Sequence, residues 1–323
     1  MNDDRRVLVT GGAGFIASHV AEAYLARGDR VWIVDDLSPG KRENLPAGAQ
    51  FVEMDVADPS VRDLVREIRP HIVNHHAAQI DVRTSVAAPD RDARTNLLGL
   101  LNLTEGAVET GVDRFVYVSS GGVVYGEPEQ IPTPESAEKL PLSPYGVSKL
   151  AGEFYLNYYR RVRGLAYVAL RYGNVFGPRQ DPHGEAGVVA IFSNRLLGGE
   201  SLTVFGDGEQ TRDYVFVEDV VSANLFVSET AIPDSQGIDS VAFNVGTGVG
   251  TSVNRLADVL EEVAGVRPGR DHQPPRAGEL RHSALDCASL RGLGWAPTTD
   301  LETGLRKTFL YIKAQAGKTG DGA

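Results

Sequence analysis

Cysteine is almost absent from this chain: Cys287 stands alone among 323 residues. No internal disulfide can form, so a reducing compartment is the simpler setting. Positive charge is in deficit, with Lys+Arg 32 against Asp+Glu 43 and a formal charge of −11. That balance argues against nucleic acid or an anionic membrane surface as a partner. An anionic small ligand would need its own local Arg or Lys. No apolar run approaches the roughly 20 residues of a membrane-spanning helix. The opening Met1-Asn2-Asp3-Asp4-Arg5-Arg6 runs almost directly into a strand, without a secretory pattern. These absences lead us to expect a cytoplasmic protein. No internal repeat is visible either.

What is present is a soluble globular balance, 42% hydrophobic and 23% charged. The length suffices for one large or two modest domains. The most informative stretch is Leu8-Val9-Thr10-Gly11-Gly12-Ala13-Gly14-Phe15-Ile16-Ala17, which reads as strand, tight turn and helix start. Gly11 lets the backbone turn sharply, and Gly14 lets it pass close to a ligand. The following helix would aim its unpaired N–H groups and positive dipole end at a pyrophosphate. A second strand, Val31-Trp32-Ile33-Val34, ends in Asp35, about 20 residues beyond the turn. There a dinucleotide site wants a carboxylate for ribose hydroxyls.

Strand-like and helix-like segments alternate up to Tyr172, the pattern of a doubly wound parallel sheet. The fold class expected is therefore α/β, of Rossmann type, with a smaller mixed α/β substrate domain. We expect the dinucleotide-binding domain over 1–172, helped by a strand returning near 241–246. A second domain spans 173–315, and 316–323 reads as a disordered tail.

Two further groups carry chemistry. Ser119-Ser120-Gly121-Gly122 follows an apolar strand and so sits at its carboxyl end, where ligands of open α/β sheets gather. Tyr145 and Lys149 are four apart on a predicted helix and share a face. A lysine cation beside a tyrosine favours phenolate, and the positive nicotinamide of an oxidised cofactor would add to that. A tyrosine so tuned can take a proton from a sugar hydroxyl.

These motifs, with Arg171-Tyr172-x-Asn174-Val175-x-Gly177-Pro178 and Thr211-Arg212-Asp213-Tyr214-Val215, occur in the order seen in a known family. The chain resembles the extended short-chain dehydrogenase/reductases, in the NAD-dependent epimerase/dehydratase family, and within these the UDP-galactose 4-epimerase group. The resemblance runs from Val7 to about Trp295. It implies NAD contacts from Gly11, Gly14, Phe15, Ile16, Asp35, Asp36, Asp55 and Val56, with Asp35-Asp36 disfavouring the 2′-phosphate of NADP. It places Asn96, Ser119, Tyr145 and Lys149 near the nicotinamide and its ribose, and makes Tyr145, Lys149 and Ser120 the catalytic set. It assigns Asn174, Val188, Arg212, Arg276 and Glu279 to the nucleotide sugar. The implied activity is 4-epimerisation of a UDP-hexose, UDP-glucose or UDP-galactose first, through a 4-keto intermediate. UDP-N-acetylhexosamine and UDP-glucuronate stay open as substrates. A homodimer is implied as well, through helices containing Leu97 to Leu103 and Phe154 to Tyr159.

Two departures stand out. Ala17 replaces a third glycine, a permitted small substitute. Gly121 occupies the position of a Ser or Thr that usually bonds the reacting sugar oxygen, so Ser120 or a water must stand in. A dehydratase would need an Asp-Glu pair where this chain has Gly122-Val123. A non-catalytic NAD-binding sensor would have no need of Tyr145 and Lys149. His75-His76 lacks the ligand spacing of a metal site, and no metal is expected. Cys287, Phe154, Tyr155, Tyr158 and Tyr159 read most simply as packing residues.

Overall fold

Seven parallel strands form the main sheet of the computed structural model, which describes residues 5–182, 187–233, 236–276 and 280–320. In chain order the first half runs β1 (Arg6–Thr10), α1 (Phe15–Ala26), β2 (Arg30–Asp35), β3 (Gln50–Glu53), α2 (Ser60–Ile68) and β4 (Ile72–His75). Then come α3 (Val82–Ala87), α4 (Pro89–Ala93), α5 (Gly99–Thr110), β5 (Arg114–Ser120), α6 (Pro144–Arg163) and β6 (Tyr167–Tyr172). A wide π turn, Arg94–Leu98, joins α4 to α5.

The strand order is β10-β6-β5-β4-β1-β2-β3, where β10 is Ala242–Val245. Except for the edge strand β3, whose Gln50 and Glu53 are exposed, the strands are short and mostly apolar because both faces of the sheet are covered. Val7 and Val9 pack with Ala17, Val20 and Tyr24 of α1, whereas Leu8 packs with Val61 and Val65 of α2 and Leu100 and Leu103 of α5. Successive side chains of one strand thus serve opposite faces.

The rest of the chain forms a smaller lobe, except β10 and the helix Val217–Glu229, which covers α1, β5 and β6 of the main sheet. β7 (Asn174–Phe176), α7 (Val188–Leu197), β8 (Leu202–Phe205), β9 (Thr211–Phe216) and α8 (Val217–Glu229) precede β10. β11 (Gly250–Ser252), α9 (Val253–Ala264), β12 (Arg270–Gln273), α10 (Ala288–Gly292) and α11 (Leu301–Gly320) follow it. β9 pairs parallel with β7 and antiparallel with β11, and β8 pairs parallel with β12. Phe176, Phe192, Phe216, Leu256, Leu305 and Phe309 fill the core of this lobe.

Two expectations need correction. α11 continues through residues 316–320, expected to be disordered; the helix-favouring run Lys313-Ala314-Gln315-Ala316 carries it past its packed residues Leu305 and Phe309. Residues 321–323 lie outside the described residues. Of the four aromatics expected to pack along α6, Tyr159 alone is buried, donating to Glu105 at 2.5 Å. Phe154, Tyr155 and Tyr158 fall on the outward face, 44–56% exposed.

Candidate active site

The strand order reverses between β1 and β4, and this opens a crevice at the carboxyl ends of the strands. Gly11 turns the chain there with φ +71°, and a Cβ on it would lie 2.8 Å from the Ala77 amide nitrogen. Its own N–H donates to the Val34 carbonyl at 2.7 Å, and that of Gly14 to the Gly11 carbonyl at 2.9 Å. The N-terminus of α1 has no capping side chain and no acid in its first turn, where Phe15 and Ile16 are half-buried. A Cβ on Gly14 would meet one neighbour within 4 Å, the Gly11 carbonyl oxygen at 3.0 Å. An open, uncapped helix end of this kind suits a pyrophosphate.

Asp35 closes the turn. Its carboxylate accepts the Ala13 N–H at 2.9 Å and the Leu37 N–H at 2.8 Å, and burial pushes its pKa up. Each oxygen keeps acceptor capacity for a ribose hydroxyl. Asp36 accepts from the amide and hydroxyl of Ser38. Asp55 accepts the Ala57 N–H at 2.8 Å, and Val56 is buried beneath α5, where a Cβ on Gly99 would touch it. These residues fit a dinucleotide.

At the other end of the crevice, Ser143 caps α6 by accepting the Gly146 N–H at 3.1 Å, with Pro144 in the first turn. Tyr145 is thereby fixed in that turn, half-buried, with Ser120 at the end of β5 the hydroxyl neighbour that acts on its own. Lys149, one turn on, is buried; its Nζ donates to the Val118 carbonyl at 2.9 Å and lies 5.9 Å from the Tyr145 ring centre. Burial brings Lys149 down to about 8 against the pull of Asp92 and Glu153. The same burial pushes the Tyr145 hydroxyl up, with Ser120 opposing it. Proximity of Lys149 suggested a lowered tyrosine. In the structure burial sets the direction and raises it.

Three neighbours of this pair are set by their packing. Ser119 donates its hydroxyl to Glu153 at 2.5 Å, inside the core, so the hydroxyl beside Tyr145 belongs to Ser120. Asn96 is buried in the π turn. Its oxygen accepts the Gln79 N–H at 2.8 Å, and its amide nitrogen lies within 3.1 Å of Gln79 O, Asp92 and Ser148. Its side chain therefore joins β4's outgoing loop to α6. Gly121, finally, has a cause: a Cβ there would lie 2.6 Å from Leu285 Cδ1 and 3.2 Å from its Cγ. Leu285 is held in a small core with Val124, Tyr125 and Cys287, which leaves no room for the usual hydroxyl.

In the smaller lobe, Asn174 opens β7 opposite Tyr214 of β9, and Arg212 lies two residues earlier on β9. The Arg212 guanidinium donates to the carbonyls of Thr211 and Leu280, both at 2.8 Å. Arg276 is exposed just past β12, stacked over Phe205 at 3.9 Å. Val188 starts α7, half-buried. Glu279 lies outside the described residues.

The sequence reading passed over two organising groups. Arg171, wholly buried in β6, donates to both oxygens of Glu153 at 3.0 and 2.5 Å, to the Tyr125 hydroxyl and to Asp239. Asp213 takes four hydrogen bonds, from the Thr247 amide and hydroxyl and from the amides of Gly248 and Leu285. Position in the Arg171-Tyr172 and Arg212-Asp213 motifs was their one signal. His75 is spent on Thr10 at 2.7 Å and stacks on Tyr117, while His76 lies against Tyr172. Among the described residues no group of His, Cys, Asp and Glu is arranged to hold a metal. Cys287 is buried, which raises its thiol to about 12. Among the described residues no helix is long and apolar enough to cross a membrane.

A UDP-glucose 4-epimerase of Mycolicibacterium smegmatis is 45% identical over 314 residues, covering 95% of this chain and 98% of its own. The structure of a UDP-glucose 4-epimerase of Thermotoga maritima with UDP-glucose superimposes with a TM-score of 0.92 at 46% identity, covering 96% of this chain and 99% of that one. One from Thermus thermophilus in complex with NAD gives 0.88 at 45%, covering 95% and 99%. Residues 7–246 match the model of the NAD dependent epimerase/dehydratase family, and the chain belongs to that family.

Proposed function

We propose that the chain interconverts UDP-glucose and UDP-galactose by inverting sugar C4 through a transient 4-keto intermediate, with NAD retained throughout. The observation that carries this reading is the cluster of Tyr145, Ser120 and Lys149 at the carboxyl end of β5, facing the crevice that fits a dinucleotide. Gly11, Gly14, Phe15, Ile16, Asp35, Asp36, Asp55 and Val56 would hold the dinucleotide, with Asn96 and Ser119 bracing the walls nearest the chemistry. Bound NAD supplies a reversible hydride acceptor for C4. Tyr145 takes the proton of the sugar 4-hydroxyl and later returns it. Ser120 orients that oxygen in place of the hydroxyl that Leu285 excludes at residue 121. Lys149 holds positive charge beneath the developing phenolate. Arg212 and Arg276, with Asn174 and Val188, hold the nucleotide diphosphate end; two guanidiniums supply the local charge that an acidic chain needs.

Purified protein incubated with UDP-galactose and no added cofactor is expected to yield UDP-glucose, read by chromatography of the nucleotide sugars. No conversion by protein shown to contain NAD would sink the reading. The same proposal includes a homodimer. On α6, Phe154, Tyr155 and Tyr158 line a hollow of about 480 Å³ with Ala151, and Val147 is half exposed beside it. An apolar helix face of this kind is what a two-fold partner helix would cover. Sedimentation is expected to give twice the chain mass, and Tyr155→Glu to give the single-chain value. A wild-type chain sedimenting at the single-chain mass overturns the dimer.

A further inference from the structure

One charge beside Tyr145 and Lys149 is unaccounted for by the reaction as written. Asp92, on the short helix α4, is 1% exposed and makes no ion pair among the described residues. Its Oδ1 accepts from Gln79 Nε2 and Asn96 Nδ2, both at 3.1 Å, and both donors are neutral amides. Asn96 Nδ2 also lies 3.0 Å from Ser148 Oγ, and that hydroxyl donates to the Tyr145 carbonyl at 3.0 Å. A hydrogen-bonded chain therefore runs from Asp92 to the turn of α6 that carries both Tyr145 and Lys149.

The charges facing Lys149 can be taken element by element. From β4 and the residue after it come His75 and His76, both kept neutral by burial. From β5 comes Tyr117, whose ring centre is 5.2 Å from Nζ and whose hydroxyl burial also keeps neutral. From α6 come Tyr145 and Glu153, and the carboxylate of Glu153 is already matched by Arg171. From α4 comes Asp92, tied through Asn96 to Ser148, the residue before Lys149. It is the one of these carboxylates that no arginine neutralises. We propose that Asp92 is a positioning residue whose carboxylate is the counter-charge to the Lys149 ammonium.

The electrostatics agree in direction. Burial pulls Lys149 towards neutrality, and Asp92 opposes it. The same carboxylate raises Tyr145, so it tunes acid and base together. Its removal should lower both. This inference rests on the epimerase reading for its consequence to turnover, but the charge on Lys149 can be read without turnover.

The test is the pH titration of Lys149 in the NAD-loaded protein, read from its side-chain 13Cε NMR shift and assigned by the resonance lost in Lys149→Arg. Asp92→Asn and Asp92→Ser are each expected to lower the Lys149 midpoint by about one pH unit. Asp92→Glu should leave it near the wild-type value. In the neutral variants the pH profile of kcat should shift to lower pH on both limbs. A merely structural role would reduce kcat or thermal stability without moving either profile. An unmoved Lys149 midpoint in folded, NAD-retaining Asp92→Asn and Asp92→Ser proteins overturns the proposal. A wild type inactive on UDP-sugars would sink the epimerase reading while leaving this titration decisive for Asp92.

Discussion

Tyr145→Phe is expected to reduce turnover by about 10²–10⁴-fold, the range that positioned acid–base groups contribute, while NAD stays bound. The substitution removes one oxygen. The aromatic ring remains, so Lys149 keeps its ring contact and its bond to the Val118 carbonyl. Gly11 and Asp35, at the far end of the crevice, are untouched. What is lost is the hydroxyl beside Ser120 that passes the 4-hydroxyl proton. The measurement is kcat with UDP-galactose alongside NAD released on denaturation. Full turnover in the variant refutes the mechanism; loss of NAD together with activity would assign Tyr145 to cofactor binding instead.

The largest effect on stability is expected at the buried pair Glu153–Arg171. Both side chains are fully buried, and the pair is extended by Ser119, Tyr125 and Asp239. Removing one partner strands a charge where water cannot reach it. Arg171→Met alone should therefore cost about 3–5 kcal/mol, read as a lower urea midpoint at unchanged slope. Pairing it with Glu153→Leu should recover much of the loss, because replacing a whole buried ion pair by apolar side chains is often neutral. A single variant within about 1 kcal/mol of wild type would show that the stranded carboxylate finds a proton or water cheaply.

The first half of the fold was legible because its signals are local. Apolar runs such as Val7-Leu8-Val9 and the one-turn spacing of Tyr145 and Lys149 need no knowledge of distant residues. β7 and β11 were not legible, since three residues each leave no periodicity to read. At the site, residue types and order pointed to Tyr145, Lys149 and Ser120, but two physical facts lay beyond them. Gly121 is explained by Leu285, 164 positions away. The ionisation of Tyr145 is set mainly by desolvation, which depends on the packing around α6 rather than on the residue four positions along. The Glu153 partner of Ser119 was hidden for the same reason, since it emerges only once β5 and α6 are packed.

The return of β10 to the main sheet has a consequence for synthesis. β6 is buried at all six positions, with β5 on one side and β10 on the other. Yet β10 begins about 70 residues after β6 ends. At the roughly 5–20 residues per second of a ribosome, β6 stands as an open edge for about 4–14 s on every new chain. An uncovered apolar strand is a template for pairing with a neighbour. The dinucleotide half of this enzyme therefore cannot be finished when its own sequence ends; it waits for a strand delivered from inside the other lobe.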